Sequence, residues 1–364
     1  MDARALVLTE PRQLELRELP IPDIGDDDGL LRVEACGLCG TDHEQYTGDL
    51  PLGYAFVPGH ESVGVVEAVG SKAAERWGVQ VGDRVAVEVF QSCRECDRCR
   101  AGDYRNCARH GLRDSYGFVP VDTAPGLWGG YATHQYLSPD SMLLPVPAGI
   151  DPVVATLFNP LGAGVRWGVT LPGTGKDDVV AVLGPGIRGL AVVVAAKEAG
   201  AGFVMVTGFG ERDAARLELA SRFGADLTVD VATTDPAKAL RKATGGGADV
   251  VVDVTAKAPA ALAQGIDVAR RGGTIVMAGT RGSAETPGFW PDLIVFKELR
   301  ILGALGVDYP AYATALELIA SGRYPFADLP RGVASLETVE DLLLTMAGEG
   351  GGPAPVHGVV APNG

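Results

Sequence analysis

Residues 177–201 read DDVVAVLGPGIRGLAVVVAAKEAGA. An apolar, β-rich run from about Asp178 to Leu183 is followed by Gly184-x-Gly186-x-x-Gly189, and then by a longer run of Ala and Val. That order is strand, glycine turn, helix. A G-x-G-x-x-G alone is a weak signal in a chain with 50 glycines, and the flanking pattern is what makes this one specific. The first glycine makes a tight turn, the second lets the backbone approach a pyrophosphate, and the third lets helix pack on strand. Gly184, Gly186, Ile187, Arg188 and Gly189 are therefore expected to cradle a dinucleotide.

Downstream, FVMVTG, DLTVDV, DVVVDVT, GTIVMAG and LRILGAL are short β-rich runs, separated by helical-looking stretches such as RDAARLELASRFG and APAALAQGIDVARR. This rhythm predicts a parallel, doubly wound α/β sheet covered on both faces. The region before it has strands, turns and Gly/Pro punctuation but little helix. The expected layout is a β-rich domain over 1–155, a dinucleotide domain over 156–320, and a tail over 321–364 whose VHGVVAP run returns as a strand to the first domain.

A length of 364 residues makes two domains the default. A net charge of -15 argues against nucleic acid and anionic membranes as partners. No apolar run reaches the ~20 residues a bilayer span needs, and the start lacks a signal-peptide pattern. A cytoplasmic location is expected.

All six cysteines lie in the first third of the chain. CRECDRCRAGDYRNC places Cys93, Cys96, Cys99 and Cys107 at C-x2-C-x2-C-x7-C, a set suited to one tetrahedral all-sulfur ion. A structural zinc in a lobe over about 90–110 is the first reading, and an iron-sulfur cluster is the alternative. EACGLCGTDHEQYTG supplies Cys39, and VPGHESVGVV supplies His60. A thiolate and an imidazole are half of an open zinc site with a position left for substrate. In FNPLGAG, Asn159 before Pro160 reads locally as a turn.

CGLCGTD, PGHESVGVVEAVG, VGDRVAV, the four-cysteine lobe, NPLGAG and GPGIRG follow one another as in zinc-containing medium-chain alcohol and polyol dehydrogenases, which the chain resembles over essentially its whole length. The resemblance implies a GroES-like catalytic domain plus a Rossmann coenzyme domain, a lobe zinc and a catalytic zinc, and a small-molecule substrate bound between domains. It also suggests a homodimer or homotetramer. It assigns Cys39 and His60 as catalytic-zinc ligands, Glu61 as a neighbouring carboxylate able to reach the metal, and Thr41 as the hydroxyl of a proton relay.

Three departures stand out. The family has a Cys or an acid where this chain has Asn159, and a neutral amide compensates less of zinc's charge. Glu61 is then expected to complete the site, with Asn159 in or beside the coordination sphere; weak or water-mediated binding by Asn159, or a loosely held ion, stay open. The relay histidine usually sits where Glu44 stands, leaving His43 as a candidate carrier. At the end of the second strand Gly208 occupies the place of the ribose-binding acid, with Arg212 four residues on. That favours NADP over NAD, with Glu211 in the acid's role as the counter-reading. The expected activity is zinc-dependent hydride transfer between a nicotinamide coenzyme and an alcohol or carbonyl, with a polyol, sugar or amino-alcohol favoured. Trp128 and Phe90 are candidates for the pocket wall or plain core. The rivals are a zinc-independent reductase on the same fold and a dinucleotide-binding protein whose site has decayed.

Overall fold

The computed structural model describes residues 2–50, 53, 55–282 and 284–364. Internal contacts divide the chain into two compact units, Met1–Asn159 with Leu316–Gly364, and Pro160–Ala315. Reading the sequence alone drew the borders at 155 and 320.

The first unit opens with an antiparallel hairpin of β1 (Asp2–Glu10) and β2 (Gln13–Pro20). There follow β3 (Gly29–Leu38), β4 (Glu61–Val69), β5 (Arg84–Val87), β6 (His134–Leu137) and β7 (Leu143–Pro145). β3 is buried along nearly its whole length, and Leu31, Val33, Cys36 and Leu38 pack with Val66, Val85, Val87 and Leu137 in one core. Trp128 and Phe90 are also buried; Trp128 donates its indole N–H to the Thr123 carbonyl at 2.9 Å and meets Tyr136 edge-on.

The second unit carries β8 (Val179–Leu183), β9 (Phe203–Gly208), β10 (Leu227–Asp230), β11 (Ala248–Asp253), β12 (Ala269–Met277) and β13 (Arg300–Gly303). Every pair is parallel, in the order β10-β9-β8-β11-β12-β13. The order reverses between β8 and β11, the arrangement of a doubly wound dinucleotide fold. The stretch 258–271 is only partly helical. Its helix, Ala261–Val268, ends where β12 starts at Ala269, and the Lys297 ammonium donates to the carbonyls of Ile266, Asp267 and Ala269 at 2.6, 3.2 and 2.9 Å.

β14 (Arg331–Ala334) and β15 (His357–Val360) then rejoin the first unit. Its seven-stranded sheet runs β14-β15-β3-β4-β5-β7, with β6 paired to β3, and β15 lies antiparallel to β3. FNPLGAG is not a turn but the opening of a helix, Phe158–Val165. Pro160 is tolerated because it falls in the first turn, where its missing N–H has no intrahelical partner to lose. The Asn159 N–H is taken at 3.4 Å by the Thr156 carbonyl.

The returning tail holds that turn in place. Thr156 donates its hydroxyl to the Val153 carbonyl at 2.7 Å, so it accepts from His357 Nε2–H at 3.2 Å; His357 Nδ1 accepts from Arg331 Nε–H at 3.0 Å. Burial, with the Arg331 charge beside it, lowers His357 from 6.5 to about 3. The folded chain thus keeps His357 neutral while the unfolded chain protonates below about 6.5. Stability from this group is complete above that value and drains away as pH falls toward 3, by about 2 kcal/mol between about pH 7 and pH 5. Denaturant unfolding of His357→Gln at those two pH values is expected to lack this increment; an unchanged pH dependence would mean that His357 is not held neutral.

Candidate active site and metal centres

The β3–β4 register explains how two distant motifs meet. Gly37 pairs with Glu61 and Cys36 with Ser62 across antiparallel strands. Cys39 comes one residue after β3 ends and His60 one residue before β4 begins, so both stand at the same end of the pair. Cys39 Sγ lies 3.3 Å from His60 Nε2. A tetrahedral ion with bonds of about 2.3 Å to sulfur and 2.0 Å to nitrogen needs a ligand-to-ligand edge of roughly 3.5 Å, so the pair fits zinc.

Cys39 is also the N-cap of the helix Gly40–Thr47. Asp42, at the third helical position, turns back and accepts the Cys39 N–H on Oδ2 at 2.8 Å. Its other oxygen, Oδ1, stands 3.8 Å from His60 Nδ1. Both atoms are buried without a hydrogen-bond partner, an arrangement that a small ring rotation turns into a carboxylate–histidine contact behind the metal-facing nitrogen. Cys39, Asp42 and His60 form a buried group able to hold a metal ion, and Glu61 is not part of it. The Glu61 carboxylate instead lies over Gly37, where a Cβ would collide with it.

Other groups complete the wall. Phe118 packs on the His60 ring at 5.9 Å between centroids. The Tyr131 hydroxyl is buried and unpartnered; burial raises its pKa well above the usual value, reinforced by Asp42, Cys36, Cys39 and Glu61, so it stays a neutral donor. Asn159 is buried, and Thr41 half-buried in the first helical turn. His43, two residues further along the helix, has its Nε2 at 2.8 Å from Glu349. Hydrogen bonds from Arg12 and His43 hold that exposed carboxyl below its ordinary pKa.

The four lobe cysteines gather as their spacing predicts, with their sulfurs mutually within 4.8 Å. Cys93 and Cys99 sulfurs are 3.7 Å apart, close to the edge of about 3.8 Å of a zinc tetrahedron. Backbone N–H groups of Cys96, Cys99 and Arg109 point at the sulfurs of Cys93, Cys96 and Cys107 at 3.5, 3.4 and 3.4 Å, which favours thiolates. The backbone N–H groups of Ala108 and Cys99 bring the Cys96 thiol down to about 6.

In the second unit Gly184 has φ +105°, which its turn requires, and a Cβ on Gly189 would strike the Gly184 carbonyl. Gly186 caps the helix Ile187–Glu198 and faces open space, the room a phosphate needs above a helix N-terminus. Arg188 lies over the Trp167 ring at 5.1 Å. β9 ends in Gly208, and the space of a Cβ there is already crowded by Asp213 and Leu217. Two acids beside it serve the backbone: Asp213 accepts the Phe209 N–H at 2.9 Å, and Asp230 the Gly210 N–H at 2.8 Å, while Glu211 is exposed at the start of the helix Glu211–Arg222. Arg212 is 77% exposed and lies over the exposed Phe209 ring.

Residues 25–148 match the alcohol dehydrogenase GroES-like domain, and residues 189–321 match the zinc-binding dehydrogenase family. The chain belongs to the zinc-containing alcohol dehydrogenases. It is 68% identical over 360 residues, covering 99% of this chain and 98% of the other, to a Mycobacterium tuberculosis protein named "Probable alcohol dehydrogenase". It is 31% identical to the sorbitol dehydrogenase of Bacillus subtilis, over 93% of this chain and 92% of that one. A Sinorhizobium meliloti crystal structure described as a zinc-binding dehydrogenase bound to NADP superposes with a TM-score of 0.84 at 29% identity, covering 100% of both chains. The protein is thus a zinc-binding, nicotinamide-dependent oxidoreductase acting on alcohol and carbonyl groups.

Asp42 is the member of this buried group to which the sequence reading gave no role. The available signal was the cap spacing Cys39-x-x-Asp42, an acid at the third position of a helix. Elemental analysis is expected to find about two zinc ions per chain, falling to about one in Cys39→Ser. Asp42→Asn is expected to weaken metal at this site about 10- to 100-fold, and Glu61→Gln to weaken it less. The reverse order in competition with a chelator would return the supporting role to Glu61.

Proposed function

We propose that this dehydrogenase prefers NADP and oxidises a small hydroxylated substrate, a polyol, sugar or amino-alcohol, reversibly. The observation that carries the reading is the buried Cys39–His60 pair with Asp42 behind it. Support for the substrate class comes from the context of NPLGAG, which resembles the Glu-Pro segment of the polyol branch despite Asn159 in place of the acid, and from the likeness to sorbitol dehydrogenase.

Bound zinc supplies Lewis-acid polarisation of the substrate oxygen, and the nicotinamide supplies the hydride acceptor or donor. The chain's own residues do the positioning. Cys39 and His60 are the proposed ligands, Asp42 would orient the His60 ring from behind, and Glu61 and Asn159 are the candidate further oxygen donors. Thr41 would accept the substrate's hydroxyl proton while releasing its own, and His43, two residues along the same helix and on a different face of it, is the candidate next carrier. The contact of His43 with Glu349 gives that proton an outlet to solvent. Gly184, Gly186, Ile187, Arg188 and Gly189 cradle the pyrophosphate. The NADP preference is supported by the absence of a carboxylate at Gly208, by Asp213 and Asp230 being occupied with backbone N–H groups, and by the exposed Arg212.

The lobe sulfurs are read as a structural zinc site. A cytoplasmic protein accords with six free thiols, and among the described residues no helix is long and apolar enough to cross a membrane. The exposed Phe289, Trp290, Val295 and Phe296 precede the edge strand β13 and are proposed as the face on which a homodimer or homotetramer closes.

A panel of polyols, sugars, amino-alcohols and simple alcohols with NADP is expected to show turnover that chelation abolishes and zinc restores. Asn159→Glu is expected to hold zinc more tightly. Turnover that survives metal removal would favour a zinc-independent reductase, and tight coenzyme binding without turnover would favour a decayed site. Arg212→Ala is expected to lower kcat/KM for NADP about 10- to 100-fold while leaving NAD nearly unchanged, the scale of a lost charge-assisted hydrogen bond. Equal losses with both coenzymes would remove Arg212 from 2'-phosphate recognition.

A further inference from the structure

A buried ion pair joins the loops at the carboxyl ends of β11 and β12. Asp253 is the last residue of β11 and fully buried; Arg281, in the loop after β12, is 9% exposed. The Arg281 guanidinium donates Nη2–H to the Asp253 carboxylate, Nε–H to the Ala258 carbonyl at 3.2 Å and Nη1–H to the Gly279 carbonyl at 3.1 Å. Asp253 Oδ1 accepts from the Thr255 N–H at 3.1 Å and its hydroxyl at 2.6 Å. Backbone bonds stitch the same loops: Ala278 and Gly279 N–H to the Asp253 carbonyl at 2.9 and 3.1 Å, and Lys257 N–H to the Thr280 carbonyl at 3.1 Å.

A buried pair of this kind adds little net stability, because desolvating both charges offsets their attraction. What a rigid guanidinium fork does add is geometry, since three acceptors on two loops are fixed by one planar group. The position of the loops gives that geometry a use. β11 begins the second half of the sheet, at the point where the strand order reverses, and a dinucleotide crosses the sheet there. Thr255 lies against the glycine turn, 3.1 Å from where a Gly184 Cβ would stand, and a Cβ on Gly279 would collide with the Thr255 carbonyl. The three segments are packed without slack.

We propose that Arg281 is a positioning residue for the nicotinamide half of the coenzyme. It acts through Asp253 and Thr255 by holding the two loops that wall that half of the site. The proposal rests on the coenzyme reading above. The adenosine end, at β9 and Arg212 on the other side of β8, receives none of the hydrogen bonds of this cluster.

The test titrates NADPH and 2',5'-ADP, which carries the adenosine half alone, into wild type, Arg281→Lys and the double variant Asp253→Asn with Arg281→Met, with thermal melts on the same samples. Arg281→Lys keeps a positive charge against Asp253 but loses the fork; the double variant leaves no buried charge unpaired. In both, NADPH is expected to bind at least about tenfold more weakly while 2',5'-ADP stays within about twofold. Equal weakening of both ligands, unchanged NADPH binding, or loss of fold in Arg281→Lys would overturn the proposal. A wild type that binds NADH and AMP but not 2',5'-ADP would sink the NADP preference alone, and the same split is then read with that pair.

Discussion

The active end of the first unit depends on one register. β3 leaves the sheet after Leu38 and β4 enters at Glu61, so the pairing of Gly37 with Glu61 brings Cys39 and His60 together although 20 residues separate them in sequence. A slip of one residue would turn every side chain of a strand to the opposite face, and the apolar side chains of β3 and β4 buried in the core would resist it. Gly37 belongs to the same constraint, because only a residue without a side chain leaves room for the buried Glu61 carboxylate. The helix that starts at Gly40 then turns Asp42 back toward both proposed ligands.

The electrostatics of this end also follow from burial. A thiol able to ionise and the carboxyl groups of Asp42 and Glu61 are all withdrawn from water. Anions withdrawn from water are costly, and a dication beside Cys39 and His60 would turn part of that cost into attraction. On the proposal that Asn159 faces the same site, its neutral amide removes one negative charge from a wall already rich in them. A zinc ion held there would keep more of its charge for the substrate oxygen, at the expense of affinity for the ion itself.

What could be read from sequence, and what could not, divides by how local the cause is. β8, β9 and β11 were legible because strands covered on both faces are continuous apolar runs. The lobe was legible because four sulfurs at short spacing have few other uses. The helix Gly40–Thr47 was not, since GTDHEQYT has no apolar periodicity and begins only because a cap exists there; the role of Asp42 was hidden with it. The FNPLGAG helix was missed because the rule that a residue before proline avoids helix is weakest in a first turn. His357 meets Thr156 across 201 residues, a contact that no local pattern announces. The carbonyls at the C-terminal end of the helix Ala261–Val268 are likewise satisfied by Lys297, a residue outside the helix.

The two halves of the parallel sheet treat charge differently, and the proposed placement of the coenzyme accounts for it. Beside β9, acids are spent on backbone N–H groups and Arg212 is left exposed, which suits phosphate groups that carry negative charge throughout the reaction. Beside β11, the guanidinium of Arg281 is matched by Asp253 and buried. An unpaired cation there would repel the oxidised nicotinamide, which is positively charged, and would bias the redox equilibrium toward the reduced coenzyme. Pairing keeps the rigid geometry of the fork and presents no net charge to the ring, so the wall can hold oxidised and reduced nicotinamide alike, as a reversible hydride transfer requires.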